Sequence, residues 1–179
     1  MIYITGDCHN NFERFNTRNF PEQKEMTKDD YVIICGDFGG VWNKDGESKM
    51  ETSALDWLDG KAFTTLFVDG NHENFDLLNT LPEKEWNGGR VHVVREHVLH
   101  LMRGQVFNFG GLTWFTMGGA ASHDIQDGIL DPADPDFEHW YWLMRRMRSM
   151  FRVKGVSWWE EEMPSLEEYQ EALDRKSVV

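Results

Sequence analysis

The chain has 179 residues with 40% hydrophobic content, enough to bury one sizeable core, and no linker, repeat or low-complexity tract divides it. Its 31 acidic residues outnumber its 18 basic ones, and the net charge of −13 makes direct binding to a nucleic-acid backbone unfavourable. The segment MIYITGD enters a strand without a leader, and no apolar run approaches the roughly 18 residues of a membrane span, so we expect a single cytoplasmic domain over residues 1–179.

Three apolar runs near the start have the composition of strands buried on both faces. They are Ile2–Thr5, Tyr31–Cys35 and Thr64–Val68, rich in β-branched and aromatic residues. The segments between them, Asn11–Arg18 and Lys49–Asp59, are of helical length and complete a βαβαβ order. Such units have parallel strands, and open α/β sheets bind ligands beyond the carboxyl ends of their strands.

Each predicted strand runs into a glycine and then into a potential metal ligand. The three segments are TGDCHN, CGDFGG and DGNHEN, and they carry Asp7, His9, Asp37, Asn71 and His72. Asp7 and His9 lie two residues apart, so an extended chain would present both to one ion. Asp37 can bridge two ions, and Asn71 offers a neutral oxygen to the second. Carboxylate, imidazole and amide together suit manganese, iron, zinc or magnesium.

His72 has a different predicted role from the other four residues. It follows a ligand directly, yet its side chain can point elsewhere and protonate a leaving oxygen or bind a phosphate oxygen. Two ions about 3.5–4 Å apart would clamp the attacking and leaving oxygens of a phosphoryl displacement. The residues therefore favour a phosphate-ester substrate.

The motifs Asp7-Cys8-His9, Gly36-Asp37 and Gly70-Asn71-His72-Glu73 resemble the first three signature blocks of the calcineurin-like metallophosphoesterases. The resemblance implies an αββα sandwich with a dinuclear metal centre that hydrolyses phosphomonoesters, phosphodiesters or nucleotides. It further implies that Asp7 and His9 bind one metal, Asp37 bridges, Asn71 binds the second and His72 is catalytic. Divalent manganese is the cofactor we expect first.

The resemblance weakens after about residue 75. Family members carry further histidine blocks near the carboxyl end, which this chain lacks, so we expect a single domain truncated at its C-terminal end with an incomplete ligand set. His123 in GGAASHD follows a glycine pair and is a candidate additional ligand; a partner subunit is another source. For His92, His97, His100 and His139, as for His123, a surface or hydrogen-bonded histidine is the competing interpretation.

The middle of the chain predicts an antiparallel meander. Its strands are Arg90–Val94, His97–Met102, Gln105–Phe109 and Leu112–Met117, and they would form the second sheet of a partial sandwich. A shortened sandwich would expose sheet edges, which favour pairing with another chain. We therefore predict a homodimer.

Two helices are predicted at the end of the chain. The first carries an apolar stripe from Phe137 to Phe151 with Asp136 as its N-cap, and the second begins at a capping box of Ser165 and Glu168. Five basic residues in the region of the first helix either recruit phosphate or an acidic partner, or pair with the acidic residues 160–162. They are Arg145, Arg146, Arg148, Arg152 and Lys154. The predicted class is α/β, bordering on α+β.

Two classes of function fit these patterns. The first is a metal-dependent phosphoesterase acting on a phosphate mono- or diester, including nucleotides, with activity reduced by missing ligands. The second is an acidic, catalytically lapsed derivative that binds a protein, for example an inhibitor of a nucleic-acid-processing enzyme carried by a mobile element. Metal content and turnover distinguish them.

Overall fold

A computed structural model describes residues 1–176, which form a mixed α/β fold and confirm the predicted class. The strands are β1 (Ile2–Thr5), β2 (Tyr31–Cys35), β3 (Thr64–Val68), β4 (Glu83–Trp86), β5 (Gly89–Arg95), β6 (Val98–Leu101), β7 (Gln105–Phe109), β8 (Leu112–Thr116), β9 (Gly128–Leu130) and β10 (Phe151–Val153). The α-helices are α1 (Lys49–Asp59), α2 (Phe75–Leu78), α3 (Phe137–Met147) and α4 (Leu166–Lys176).

Six strands form the main sheet in the order β1-β2-β3-β6-β5-β4. Strands β1, β2, β3 and β6 are parallel, whereas β5 and β4 are antiparallel to their neighbours. The first three strands have the predicted bounds, as does α1. The carboxyl ends of β1, β2 and β3 therefore meet at one edge of the sheet, where the predicted site residues follow.

Alternating residues of the central strands pack into separate cores on the two faces of the sheet. Ile34 and Phe67 belong to a cluster that includes Leu55 and Leu58 of α1. Ile33 and Leu66 belong to a second cluster, which includes Phe107 and Phe109 of β7. Because both faces are covered, these strands have the near-continuous apolar sequence of a buried parallel sheet.

The predicted meander is divided between two sheets, which corrects the predicted topology. Strands β5 and β6 extend the main sheet, and β6 pairs in parallel with β3. Only β7 and β8 form a separate antiparallel pair. His97 lies in the turn between β5 and β6 rather than on a strand. Strands β1 and β4 are the edges of the main sheet, and the homodimer stays a prediction.

The predicted helix over Asn11–Arg18 is wrong, since this segment contains only a short 3-10 turn at Glu13–Phe15. The Asn11 side chain accepts a hydrogen bond from the Glu13 amide, and Asn16 accepts from the amides of Arg18 and Asn19. Asparagine side chains that bind nearby backbone groups offer the chain an alternative to helix. The local sequence therefore forms turns.

The two predicted C-terminal helices are present, with differences at α3. The predicted stripe stops at Met147, because Arg148 adopts a left-handed backbone at φ 58° and Phe151 begins β10. Asp136 stands at the N-cap position without a side-chain cap. The Ser165–Glu168 capping box is formed in both directions, which confirms the start of α4. None of the described helices is both long enough and apolar enough to cross a bilayer.

Candidate metal centre

The turn after β1 is fastened to the loop after β2. The amides of Cys8 and His9 donate to the Asp37 carbonyl oxygen at 2.8 and 2.9 Å. His9 and Asn10 adopt left-handed backbone conformations, at φ 47° and 59°. Non-glycine residues in this region cost free energy and cluster at functional sites. The segment is a tight turn, so the expectation that Asp7 and His9 align along an extended chain is wrong.

Each aspartate of the site rests against the glycine of the next strand. Asp7 Oδ1 accepts a hydrogen bond from the Asp37 amide at 3.2 Å, and Asp37 Oδ1 accepts from the His72 amide at 2.9 Å. A Cβ atom at Gly36 would overlap the Asp7 carboxylate, and one at Gly70 would overlap the Asp37 carboxylate. Glycine at these two positions allows the loops to approach this closely.

His9, Asp37 and His72 form a cluster of potential metal ligands. One ligand atom from each of the three lies within 4.8 Å of the others. His9 Nδ1 is 3.6 Å from Asp37 Oδ2, and the two imidazole rings meet edge to face at 5.3 Å. Asp37 is buried, whereas His9 is exposed. One carboxylate and two imidazoles converging at an open edge fit a divalent transition metal.

Asp7 and Asn71 lie next to this cluster rather than within it. Asp7 is bonded to the Asp37 amide, as described, and its side chain is exposed. Asn71 Nδ2 donates to Ser122 Oγ at 3.1 Å. Because its NH₂ group is committed to that bond, the carbonyl oxygen is the Asn71 atom left to serve a cation.

A buried carboxylate fixes the Asn71 amide through Ser122. Glu162 accepts hydrogen bonds from the Ser122 amide at 2.8 Å and from the Ser122 hydroxyl at 2.6 Å. Ser122 and Glu162 are both buried. The hydroxyl thus donates to Glu162 and accepts from Asn71, which defines the orientation of all three groups. Neither residue lies in a sequence motif that indicates a place at this site.

A second buried glutamate fastens the loop after β3 to the loop after β2. The Glu73 carboxylate accepts from the Phe38 amide at 2.6 Å and from the Gly39 amide at 3.2 Å. Burial raises the pKa of Glu73 well above its ordinary value. The fourth residue of the Gly-Asn-His-Glu motif therefore has a structural role beside the site.

His72 faces an arginine from a distant part of the chain. Arg152 Nη2 of β10 lies 2.7 Å from His72 Nε2, and Asp124 binds the same guanidinium at 2.6 Å. Burial, and then the charge of Arg152, lowers the pKa of His72. The neutral imidazole is the form that binds a metal or accepts a proton. The hydrogen bond from Arg152 lowers the pKa of Asp124.

The candidate ligand His123 is exposed and is not part of the three-residue cluster found among the described residues. Its ligand role stays a prediction. His139 is also exposed, on α3. The two buried histidines, His92 and His100, are not members of the cluster: their Nδ1 atoms are 3.0 Å apart, and His100 Nε2 is 3.0 Å from Asp69.

Asp69 is the centre of a buried charged network that also contains Arg103. Arg103 donates to Asp69 Oδ2 through Nε at 2.8 Å and through Nη2 at 2.5 Å. The Asp69 carboxylate also fits against Gly118, where a Cβ atom would overlap it. Asp69, His92, His100 and Arg103 line a cavity of about 240 Å³. This network supports the strand that precedes Gly70 and Asn71.

The predicted partners of the basic segment differ from those in the structure. Arg152 binds Asp124, Lys154 Nζ lies 3.7 Å from Asp131, and Arg145 contacts the Tyr141 ring, so these three residues contact earlier parts of the chain rather than residues 160–162. Cys8 and Cys35 are both free thiols.

The sheet edge, the three glycine-bearing loops and the carboxylate–imidazole cluster together form a candidate metal site. The chain belongs to the calcineurin-like phosphoesterase family, whose model matches residues 1–174. This membership confirms the resemblance seen in the three sequence motifs. A family of this kind uses divalent metal ions, and the donor atoms of His9, Asp37 and His72 suit them.

Curated proteins similar to this chain are lariat debranching enzymes. Lariat debranching enzyme A of Xenopus laevis is 26% identical over 97% of this chain and 31% of its own length. The enzyme of Danio rerio is 23% identical over 87% of this chain and 27% of its own length. The lariat debranching enzyme of Caenorhabditis briggsae is 24% identical over 87% of this chain and 30% of its own length.

The chain thus spans about a third of the length of these curated relatives, with coverages of 31%, 27% and 30%. No solved structure is significantly similar to it.

Proposed function

We propose that the chain carries the site of a metal-dependent phosphoesterase that hydrolyses a phosphodiester at two divalent ions, with manganese as the expected metal. The observation that carries the proposal is the convergence of His9, Asp37 and His72, from three separate loops, within 4.8 Å. The proposed ligands are Asp7, His9, Asp37 and Asn71, and His72 is the proposed catalytic residue. Family membership supports the reaction class.

The proposed ligands have distinct tasks. Asp37 is buried and lies between His9 and the loop of His72, so it is the residue that would bridge two ions. Asp7 and His9 would bind one ion, and the Asn71 carbonyl oxygen would bind the other. The ions supply polarisation of the phosphoryl oxygens and a water of lowered pKa.

His72 is the proposed catalytic residue beside the leaving oxygen. Its Nε2 already takes part in a hydrogen bond with Arg152. Its lowered pKa means that the imidazole is neutral near pH 7, when it can bind the metal or accept a proton. To protonate the leaving oxygen, His72 would first have to take up the proton that the attacking water releases, and it would return to the neutral form when it passes that proton on.

The relatives guide the choice of substrate. Because they are lariat debranching enzymes, we propose a phosphodiester rather than a monoester as the substrate. Because the net charge is −13, we propose that such an anion approaches through the edge where the metal ions would lie.

The test combines metal content with turnover. The chain is purified, loaded with manganese, and assayed by elemental analysis and with bis(p-nitrophenyl) phosphate. We expect Asp37→Asn to lower both metal per chain and turnover, the latter by at least about 100-fold, because removing the bridging charge weakens both ion sites. Asp29→Asn, an equal charge change at an exposed position, is the control.

A wild-type chain that binds manganese but shows no turnover with any of several divalent metals would reject the catalytic proposal. That outcome would favour the second class of function, the acidic protein-binding derivative. The capture of a partner by that derivative should be insensitive to Asp37→Asn.

A further inference from the structure

Arg152, one of the five basic residues of the segment around the third helix, is a charged group at the candidate site. It follows His72 by 80 residues, yet its Nη2 atom lies 2.7 Å from His72 Nε2. Its side chain is only 17% exposed. The residue arrives on β10, which pairs in parallel with β9 in a small sheet of its own.

Asp124 fixes the direction of the guanidinium. Arg152 Nε lies 2.9 Å from both Asp124 oxygens, and Nη2 lies 2.6 Å from Oδ2. Nη1 reaches the Ser157 carbonyl oxygen at 3.4 Å. One edge of the planar group is therefore anchored by a carboxylate, and the Nη2 end extends to His72.

The His72 imidazole is a weaker hydrogen-bond partner for the Arg152 guanidinium than an anionic oxygen would be. A guanidinium keeps its proton in proteins and has five N–H donors, whereas a neutral imidazole nitrogen offers one lone pair. Arginine binds phosphate oxygens with shorter and stronger hydrogen bonds than neutral acceptors allow. An anionic oxygen placed beside His72 would be the better acceptor for Nη2.

The distribution of charge supports the same assignment. Residues 139–159 contain five of the 18 lysine and arginine residues and none of the 31 acidic residues. In a chain with a net charge of −13, a phosphate needs a local positive potential to approach. Arg152 is the member of this segment that contacts a residue of the candidate metal centre.

We propose that Arg152 is a substrate-binding residue that donates to a non-bridging oxygen of the substrate phosphate, with Asp124 as the residue that positions it. On binding, Nη2 exchanges His72 Nε2 for the phosphate oxygen and keeps its bonds to Asp124. Phosphate monoesters, phosphodiesters and inorganic phosphate all present such oxygens. The assignment rests on the proposed function only in taking a phosphate as the ligand.

The experiment measures binding of inorganic phosphate by calorimetry on the manganese-loaded chain, which requires no turnover. We expect Arg152→Gln to weaken phosphate binding about 10- to 100-fold, as loss of a charged hydrogen bond implies. Arg152→Lys should lose less, because a point charge remains without the planar fork. Arg146→Gln, the same change at an exposed arginine of α3, should bind like the wild type.

Asp124→Asn tests the positioning of Arg152 without removing the positive charge of Arg152. It leaves the guanidinium in place but loosens its anchor, so phosphate binding should weaken less than in Arg152→Gln. In active preparations the same variants should raise KM for bis(p-nitrophenyl) phosphate more than they lower kcat. Manganese per chain should stay at the wild-type value in all of them.

Two results would overturn the assignment. One is unchanged phosphate binding in both Arg152→Gln and Arg152→Lys with the fold intact by circular dichroism. The other is a wild-type chain, loaded with manganese, that binds no phosphate. A chain that binds phosphate through Arg152 but shows no turnover would instead refute the proposed phosphoesterase activity and leave the phosphate site standing.

Discussion

His92 offers a measurable link between burial and acid stability. It is 3% exposed, and its Nδ1 atom shares a hydrogen bond with His100 Nδ1 at 3.0 Å. Burial, then the charges of His100 and Arg90, lowers the pKa of His92 to about 4. The unfolded chain, with a histidine pKa of about 6.5, therefore binds more protons than the folded chain between these two values.

The sign and size of the effect follow from this difference. Above about pH 6.5 the residue is neutral in both states and has no effect, and stability is lost as the pH falls toward about 4. A difference of about 2.5 units corresponds to about 3 kcal/mol in full, of which about 2 kcal/mol is lost between pH 8 and pH 5. A loss of that size is a large fraction of a typical folding free energy.

Urea denaturation at about pH 8 and about pH 5 gives the free energy of unfolding at each. We expect His92→Gln, which keeps a hydrogen-bonding group beside His100, to show a pH-dependent loss about 2 kcal/mol smaller than that of the wild type. His139→Gln, at an exposed position, is the control. Equal pH dependence in His92→Gln and the wild type would refute the assignment of this effect to His92.

Three further substitutions test the core packing and the hydrogen bonds that support the candidate site. Phe67→Ala removes a fully buried ring, so the free energy of unfolding in urea should fall by about 3–5 kcal/mol; a loss below about 1 kcal/mol would contradict the packing. Gly118→Ala places a methyl group against the Asp69 carboxylate and should cost about 1–3 kcal/mol, seen as a lower thermal midpoint; an unchanged midpoint would count against that contact. Glu162→Gln weakens the hydrogen bonds that orient Asn71, so manganese binding should become about tenfold weaker in a calorimetric titration. A variant with wild-type manganese affinity would show that this orientation is unimportant.

The parallel half of the sheet could be predicted because its signals are local. Each of the first three strands is an apolar run of four or five residues that ends at a glycine, and the bounds agree with the structure. β4 was missed because its sequence, EKEW, is charged and largely exposed. Its place at a sheet edge depends on pairing with β5, which local pattern does not reveal.

Much of the site's surroundings could not be predicted, because the contacts join distant segments. Arg152 and His72 are 80 residues apart, and Ser122 and Glu162 are 40 apart. Neither pair has a spacing that periodicity or a turn motif would detect. By contrast, the short motifs placed His9, Asp37 and His72 correctly at one edge, since three consecutive loops of a parallel sheet must meet there.

The close contact between each aspartate and the glycine after the next strand limits which substitutions the candidate metal centre can accept. Lengthening Asp37 to glutamate would press a methylene into the backbone at Gly70, and the same holds for Asp7 against Gly36. Each adjustment would displace the neighbouring loop, so these positions must vary together or remain fixed. The exposed imidazole of His9 is not held against a glycine in this way, so a new metal preference is more accessible through that position, although a change there would alter the contacts with Asp37 and His72.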